Sequence, residues 1–218
     1  MLHEDSAGHR GTIKPGGVQW MTAGGGIVHS ETPSPATLEA GGRAHGFQVW
    51  VNLPARLKMT RPRYQELGAE QIPTAQTADG LAKVKVIAGE ALGVRAVIDT
   101  HTPIVYQDWS LEPGADVTLA LDPAQRALVY VFSGSARVGN SEKIVKDGQL
   151  AVLGAGDALR LRGTSENARL LLLAGVPLGE PVARYGPFVM NTQSELQQAF
   201  QDYQSGRMGE ITRTAQVG

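Results

Sequence analysis

The chain has 218 residues, a net charge of -1 with 20 Lys and Arg against 21 Asp and Glu, and no stretch that concentrates basic residues. That excludes a nucleic-acid footprint built on phosphate neutralisation. The absence of cysteine excludes disulfides, zinc ribbons, iron–sulfur clusters and thiol nucleophiles. Twenty-seven glycines and twelve prolines fall between short β-branched runs, the mark of an all-β protein with many tight turns.

In chain order, Met1–Ser6 is polar and unlike a signal peptide. His3 and His9 stand in this turn-like stretch and read as a solvated hairpin. Gly11–Ile13 and Val18–Met21 read as short strands around a Lys14-Pro15-Gly16-Gly17 turn. Gly24-Gly25-Gly26 allows the backbone to fold tightly just before His29. Thr32–Gly42, rich in Pro, Ala and Gly, reads as a surface loop, and Gly46–Leu53 as a strand. Pro54–Asp79 reads as a surface connection with an extended piece near Pro62-Arg63-Tyr64-Gln65.

A second β-rich block runs from Ala82 to Pro177. Its candidate strands are Lys83–Ala88, Val94–Ile98, Ile104–Leu111, Asp116–Leu121, Leu128–Ser133, Ala136–Val138, Gly148–Leu153, Ala158–Arg162 and Ala168–Gly175. Their even spacing predicts a barrel or sandwich. Its ligating residues, Tyr106, Asp108, Glu112, Asp116, Glu142 and the lone His101, are scattered, so its interior reads as filled core. A weak echo of Gly11–Val18 in the stretch from Ala151 to Leu159 fits two similar barrels in tandem. The longest apolar run, Leu170–Pro177, is too short to span a bilayer. Thr192-Gln-Ser-Glu195 is a capping box. Leu196, Ala199, Phe200 and Tyr203 continue it as one helical face, and Gly206 supplies the stop.

Chemistry concentrates at His29-Ser30-Glu31. In a strand, residues i and i+2 face one side, about 6.6 Å apart. An imidazole and a carboxylate on one face make a partial site for a divalent transition metal, near the 2-His-1-carboxylate pattern of non-haem iron. On spacing alone, a surface pair or a hydrogen-bonded interior pair is the more frequent meaning of a lone His-x-Glu. Met21 and Gln48 are candidate neighbours by strand direction. No His-Glu-x-x-His, no Gly-x-Ser-x-Gly elbow and no phosphate-binding loop occurs.

His3-Glu-Asp-Ser-Ala-Gly-His-Arg-Gly11, Gly16-Gly-Val-Gln-Trp-Met-Thr-Ala-Gly24, Gly26-Ile-Val-His-Ser-Glu31, Gly46-Phe-Gln-Val-Trp-Val-Asn-Leu-Pro54, Pro62-Arg-Tyr-Gln65 and Tyr185-Gly-Pro-Phe-Val-Met-Asn-Thr192 together resemble the pirin family across essentially the whole chain. The resemblance implies an all-β bicupin: tandem cupin (double-stranded β-helix) barrels with a C-terminal helix, divided near residue 100 into residues 1–99 and 100–218. It implies iron held in the N-terminal barrel by three histidines and a glutamate, of which His29 and Glu31 are the matched pair. The sequence starts after the family's His-x-His motif. The N-terminal barrel is therefore expected to be incomplete, the iron site a half-site, and strand edges open to self-association.

The resemblance implies quercetin 2,3-dioxygenase-type activity on a flavonol-like molecule if the missing ligands are supplied. Alternatively it implies a metal-independent regulatory protein that binds a protein partner, or a degenerate paralogue. A cytoplasmic location, with neither nucleic acid nor membrane as partner, accompanies all three.

Overall fold

The computed structural model describes residues 1–140 and 143–211. Glu142 lies outside them. Two compact units emerge from the contacts, Met1–Ala69 with Gly179–Gly218, and Glu70–Leu178, a line drawn differently from a sequential cut near residue 100.

The first unit opens with β1 (Leu2–Asp5), β2 (Arg10–Thr12), β3 (Val18–Thr22), β4 (His29–Thr32), the short helix α1 (Pro35–Ala40) and β5 (Arg63–Leu67). β1 lies between β2 and β4 in a three-stranded antiparallel sheet, and β3 pairs with β5. The expected loop at Thr32–Gly42 contains α1, because Ser34 caps it by accepting from the Thr37 amide at 3.1 Å and Pro35 suits the first turn.

One expected strand is not there. Gly46–Leu53 has the right alternation, yet residues 41–54 belong to no helix or strand. A β-strand is stable only through ladder bonds to a neighbour, and no strand of the described chain lies against it.

The second unit comprises β6 (Thr74–Gln76), β7 (Ala82–Ala88), β8 (Glu90–Ala91), β9 (Val94–Arg95), β10 (Ile104–Leu111), β11 (Asp116–Ala120), β12 (Arg126–Ser133), β13 (Ser135–Val138), β14 (Ile144–Lys146), β15 (Gln149–Val152), β16 (Ala158–Gly163) and β17 (Ala168–Gly175). Its pairing is nested: β13 with β14, β12 with β15, β11 with β16 and β10 with β17, all antiparallel. One long hairpin has thus wound up on itself, which is the double-stranded β-helix. It leaves a six-stranded sheet facing a four-stranded one.

Alternation decides what lies between these sheets. β10 buries Gln107, Trp109 and Leu111, β16 buries Leu159 and Leu161, and β17 buries Leu170 and Leu172. The interior is a filled hydrocarbon core, as its poverty in ligating residues predicts. The one polar side chain among those three strands' buried residues, Gln107, accepts from Trp109 Nε1 at 2.8 Å and donates to the Glu90 carbonyl at 2.9 Å. It is tolerated because both ends of its amide are satisfied.

The chain returns to the first unit with β18 (Ala183–Tyr185), β19 (Phe188–Met190) and α2 (Gln193–Gln204). The capping box is present: the Glu195 amide donates to Thr192 Oγ1 at 3.2 Å, and Glu195 Oε2 accepts from the Thr192 amide at 2.8 Å. Leu196 and Ala199 are buried, and Phe200 meets the rings of Tyr185 and Phe188. Replacing Thr192 by Ala removes an oxygen from an orphan amide. It is expected to lower stability by about 1 kcal/mol, read as a shift in the urea midpoint; an unchanged midpoint would show the helix held by packing alone. No helix among the described residues is long and apolar enough to cross a membrane.

Candidate metal-binding face

Two hydrogen-bonded strands bring the polar residues of the first unit together. In the β1–β4 ladder His3 lies opposite Glu31 and Asp5 opposite His29. Residues directly opposite in an antiparallel pair share a face, so His3, Asp5, His29 and Glu31 share one. The intervening pair, Glu4 and Ser30, takes the other face, where Glu4 forms an ion pair with Arg10.

The expected strand at His29–Glu31 therefore exists, and both side chains leave it on the same side. They meet an open face rather than an enclosed cavity, since His29 is exposed and the Glu31 side chain is 37% exposed.

The glycines before β4 do what their sequence suggests. Gly24 has φ +53° and Gly26 φ +121°. The Gly25 amide donates to the Thr60 carbonyl at 2.9 Å, and a side chain at Gly26 would collide with Met208. Only glycine admits both the dihedrals and the close approach.

His3 departs most from expectation. Read as part of a solvated hairpin, it is 1% exposed. Leu2–Asp5 is the central strand of its sheet, so the side chain lies under its neighbours instead of in water. Its ring stacks near that of His29, with centroids 5.7 Å apart and planes 20° apart, and touches Tyr64 at 4.6 Å. Its Nδ1 is 3.3 Å from the Tyr64 hydroxyl and 3.8 Å from Glu31 Oε1. Its Nε2 is buried without a hydrogen-bond partner, 3.9 Å from Asp5 Oδ2. His9 fits its expected exposure, at 60% for the side chain, with Nδ1 3.2 Å from Asp5 Oδ2.

Asp5 closes the β1–β2 turn as well, its Oδ1 accepting from the amides of Ala7 and His9 at 2.8 and 3.0 Å. Tyr64 comes from β5, and its hydroxyl donates to Met21 Sδ at 2.8 Å. Met21 is thereby joined to this cluster; Gln48 lies exposed in the segment without regular structure. The signal for His3 and Asp5 was in the sequence, since His3-x-Asp5 has the same two-residue period as His29-x-Glu31.

Burial, and next the proximity of His29, lowers the pKa of His3, while Glu31 and Asp5 partly oppose the shift. Burial and the charges of Asp5 and Glu31 push the Tyr64 hydroxyl above its ordinary range, so it is a neutral donor at all working pH values.

The linkage sign for His3 follows. A histidine whose folded pKa lies below its unfolded value binds fewer protons in the native state. Its contribution is full above about pH 6.5 and is lost as pH falls from there toward the folded pKa. Urea midpoints at pH 7 and pH 5 are expected to differ in that direction, and His3→Gln is expected to reduce the difference. An identical pH dependence in His3→Gln would place the titration elsewhere.

As ligands, His29 and Glu31 offer a nitrogen and an oxygen suited to a divalent transition metal. His3 does not complete the set. An imidazole lone pair lies in the ring plane, and two stacked rings turn their faces, not their lone pairs, toward each other. Among the described residues no group of three His, Asp or Glu is arranged to hold an ion. The residues present fit half of a metal centre and not a whole one.

Comparison with known proteins agrees along the chain. The profile of the family described as Pirin matches residues 1–51, and that of the Pirin C-terminal cupin domain matches residues 106–209. A pirin-like protein of Solanum lycopersicum is 44% identical over 209 residues, covering 95% of this chain and 69% of that protein. Pirin of Homo sapiens is 41% identical over 212 residues, covering 96% and 71%. Among solved structures, a quercetin 2,3-dioxygenase from Acinetobacter baumannii superposes with a TM-score of 0.87 at 37% identity, covering 97% of this chain and 73% of that one. The nested pairing of the second unit, the His-x-Glu strand of the first and these matches lead to one conclusion: the chain belongs to the pirin family.

Proposed function

We propose that this pirin-like protein contributes His29 and Glu31 to an iron centre for quercetin 2,3-dioxygenase-type oxidation of a flavonol-like molecule, and that activity requires further ligands beyond this pair. The observation that carries the reading is the shared face of His29 and Glu31, in a chain similar to a quercetin 2,3-dioxygenase over nearly its whole length. A bound iron would supply the redox chemistry. The chain's own part is to present one imidazole and one carboxylate, flanked on the same face by buried His3, which contacts half-buried Tyr64, itself hydrogen-bonded to Met21. A cytoplasmic setting suits ferrous iron and a chain without cysteine.

Because no three-residue donor group is present among the described residues, a second reading stands beside the first: a metal-independent protein that binds a protein partner.

Metal analysis together with oxygen uptake on quercetin separates the two. The first reading expects iron-dependent uptake that disappears in His29→Ala and in Glu31→Ala, with metal retention falling in parallel. Uptake absent at every iron concentration, with both variants retaining as much metal as the parent chain, would overturn it and leave the binding reading.

A further inference from the structure

We propose that the outer face of the six-stranded sheet in the Glu70–Leu178 unit carries an oxyanion site, built from Lys83, Lys85, Ser110 and Arg169, that takes the phosphate of a small phosphate monoester. The ladders assemble it. Ser110 of β10 lies opposite Lys83 of β7 on one side and opposite Arg169 of β17 on the other, and Lys83 lies opposite Gln76 of β6. Residues directly opposite in an antiparallel pair share a face. An amide, an ammonium, a hydroxyl and a guanidinium therefore run in one row across four strands. In the neighbouring row Lys85 lies opposite Asp108. The alternate residues of β10, Gln107, Trp109 and Leu111, turn into the core, which puts both rows on the outer face.

These side chains line a groove of about 500 Å³, the size of a small-molecule site. It is larger than a bare ion needs, and so has room for the organic body of an ester. Charge decides what it takes. The lining holds three cations, Lys83, Lys85 and Arg169, and one carboxylate, Asp108, in a chain whose net charge is -1. Glu112 stands 3.7 Å from Lys83, with both side chains about half exposed, and exposed pairs of this kind hold weakly. Even with Glu112 counted, the cations are in surplus. A doubly charged phosphate matches them better than a singly charged carboxylate does.

Asp108 is a positioning residue. Its Oδ2 accepts from Arg169 Nη2 at 2.6 Å, and the Arg169 guanidinium lies 4.8 Å from the Phe132 ring centroid. Held by both, Arg169 keeps the rest of its planar donor fork for an oxyanion, the geometry that suits phosphate. Asp108 Oδ1 is buried. Burial raises the pKa of this carboxyl, and Arg169 and Lys85 oppose the shift. Water is thus excluded from the groove floor at Asp108, which strengthens the charge contacts made above it.

Isothermal titration calorimetry on the whole chain at low salt, with inorganic phosphate, phenyl phosphate and acetate, tests the site. Both phosphates are expected to bind saturably, phenyl phosphate the tighter, with a dissociation constant on the order of 0.1–1 mM. Lys83→Gln with Lys85→Gln, and separately Arg169→Gln, should each weaken phenyl phosphate about tenfold or more. Lys146→Gln, the same loss of charge on an exposed residue of the four-stranded sheet, should leave it unchanged. Arg169→Gln also strips the partner from Asp108, so the double lysine variant decides if Arg169→Gln does not fold. Absence of saturable binding by either phosphate up to about 10 mM overturns the site. Equal binding of acetate overturns the preference for a dianion, and binding of inorganic phosphate alone overturns the monoester. Equal weakening in Lys146→Gln would make the effect one of net charge and overturn the assignment to this groove.

Discussion

Trp109→Ala is expected to lower the stability of the Glu70–Leu178 unit by about 3–5 kcal/mol, the largest effect of any single substitution considered. Trp109 is fully buried on β10, between Val84 of β7 and Leu170 of β17 in the ladders. Truncation opens a cavity at the centre of the six-stranded sheet. It also removes the Nε1 donor from the Gln107 Oε1 acceptor in a residue only 2% exposed. An unsatisfied buried carbonyl adds a penalty beyond the lost hydrocarbon.

Trp109→Phe separates the two contributions. It keeps most of the volume, so the lost hydrogen bond dominates over a much smaller cavity, and the stability should fall by roughly 1–3 kcal/mol. Hydrogen exchange of the β10 and β17 amides, with urea unfolding followed by circular dichroism, checks both. A loss under about 1 kcal/mol in Trp109→Ala would contradict close packing around Trp109.

Gly24→Ala should destabilise the first unit by about 2–4 kcal/mol and disable the His29–Glu31 face. Two effects combine. A residue with a Cβ is strained at φ +53°, and the added carbon would run into the Thr60 carbonyl, the same oxygen that accepts from the Gly25 amide. The backbone must move, and the stretch that moves leads directly into β4.

Gly8→Ala is the matched control. Gly8 also has positive φ, at +88°, but a Cβ there would meet nothing within 4 Å. It should show the dihedral strain alone, about 1–2 kcal/mol. Amide protection in β1 and β4 is expected to drop in Gly24→Ala and to persist largely in Gly8→Ala. Equal effects would mean that the approach to Thr60 does not constrain the turn.

Much of this was legible from residue order. Ile104–Leu111 and Ala168–Gly175 are strands with the bounds their alternation predicts, and the Thr192–Glu195 box starts the helix it announces. The triple glycine before His29 marks the turn it makes. These features depend on neighbours within a few residues, so local pattern carries them. The misreadings share one cause. His3 reads as a polar turn residue and is buried, while Gly46–Leu53 reads as a strand and is not one. Each outcome depends on which distant segment lies alongside.

By itself, the order of residues determined the all-β class and the shared direction of His29 and Glu31, because side-chain alternation, turn geometry and helix capping are short-range; the double-stranded winding was an implication of family resemblance, and its nested pairing is long-range. Only the tertiary structure decided that β1 sits between β2 and β4, that His3 and Tyr64 lie beside the candidate ligands, and that residues 46–53 lack a ladder. Strand pairing joins segments far apart in the chain, and burial belongs to the pair rather than to either strand's own sequence.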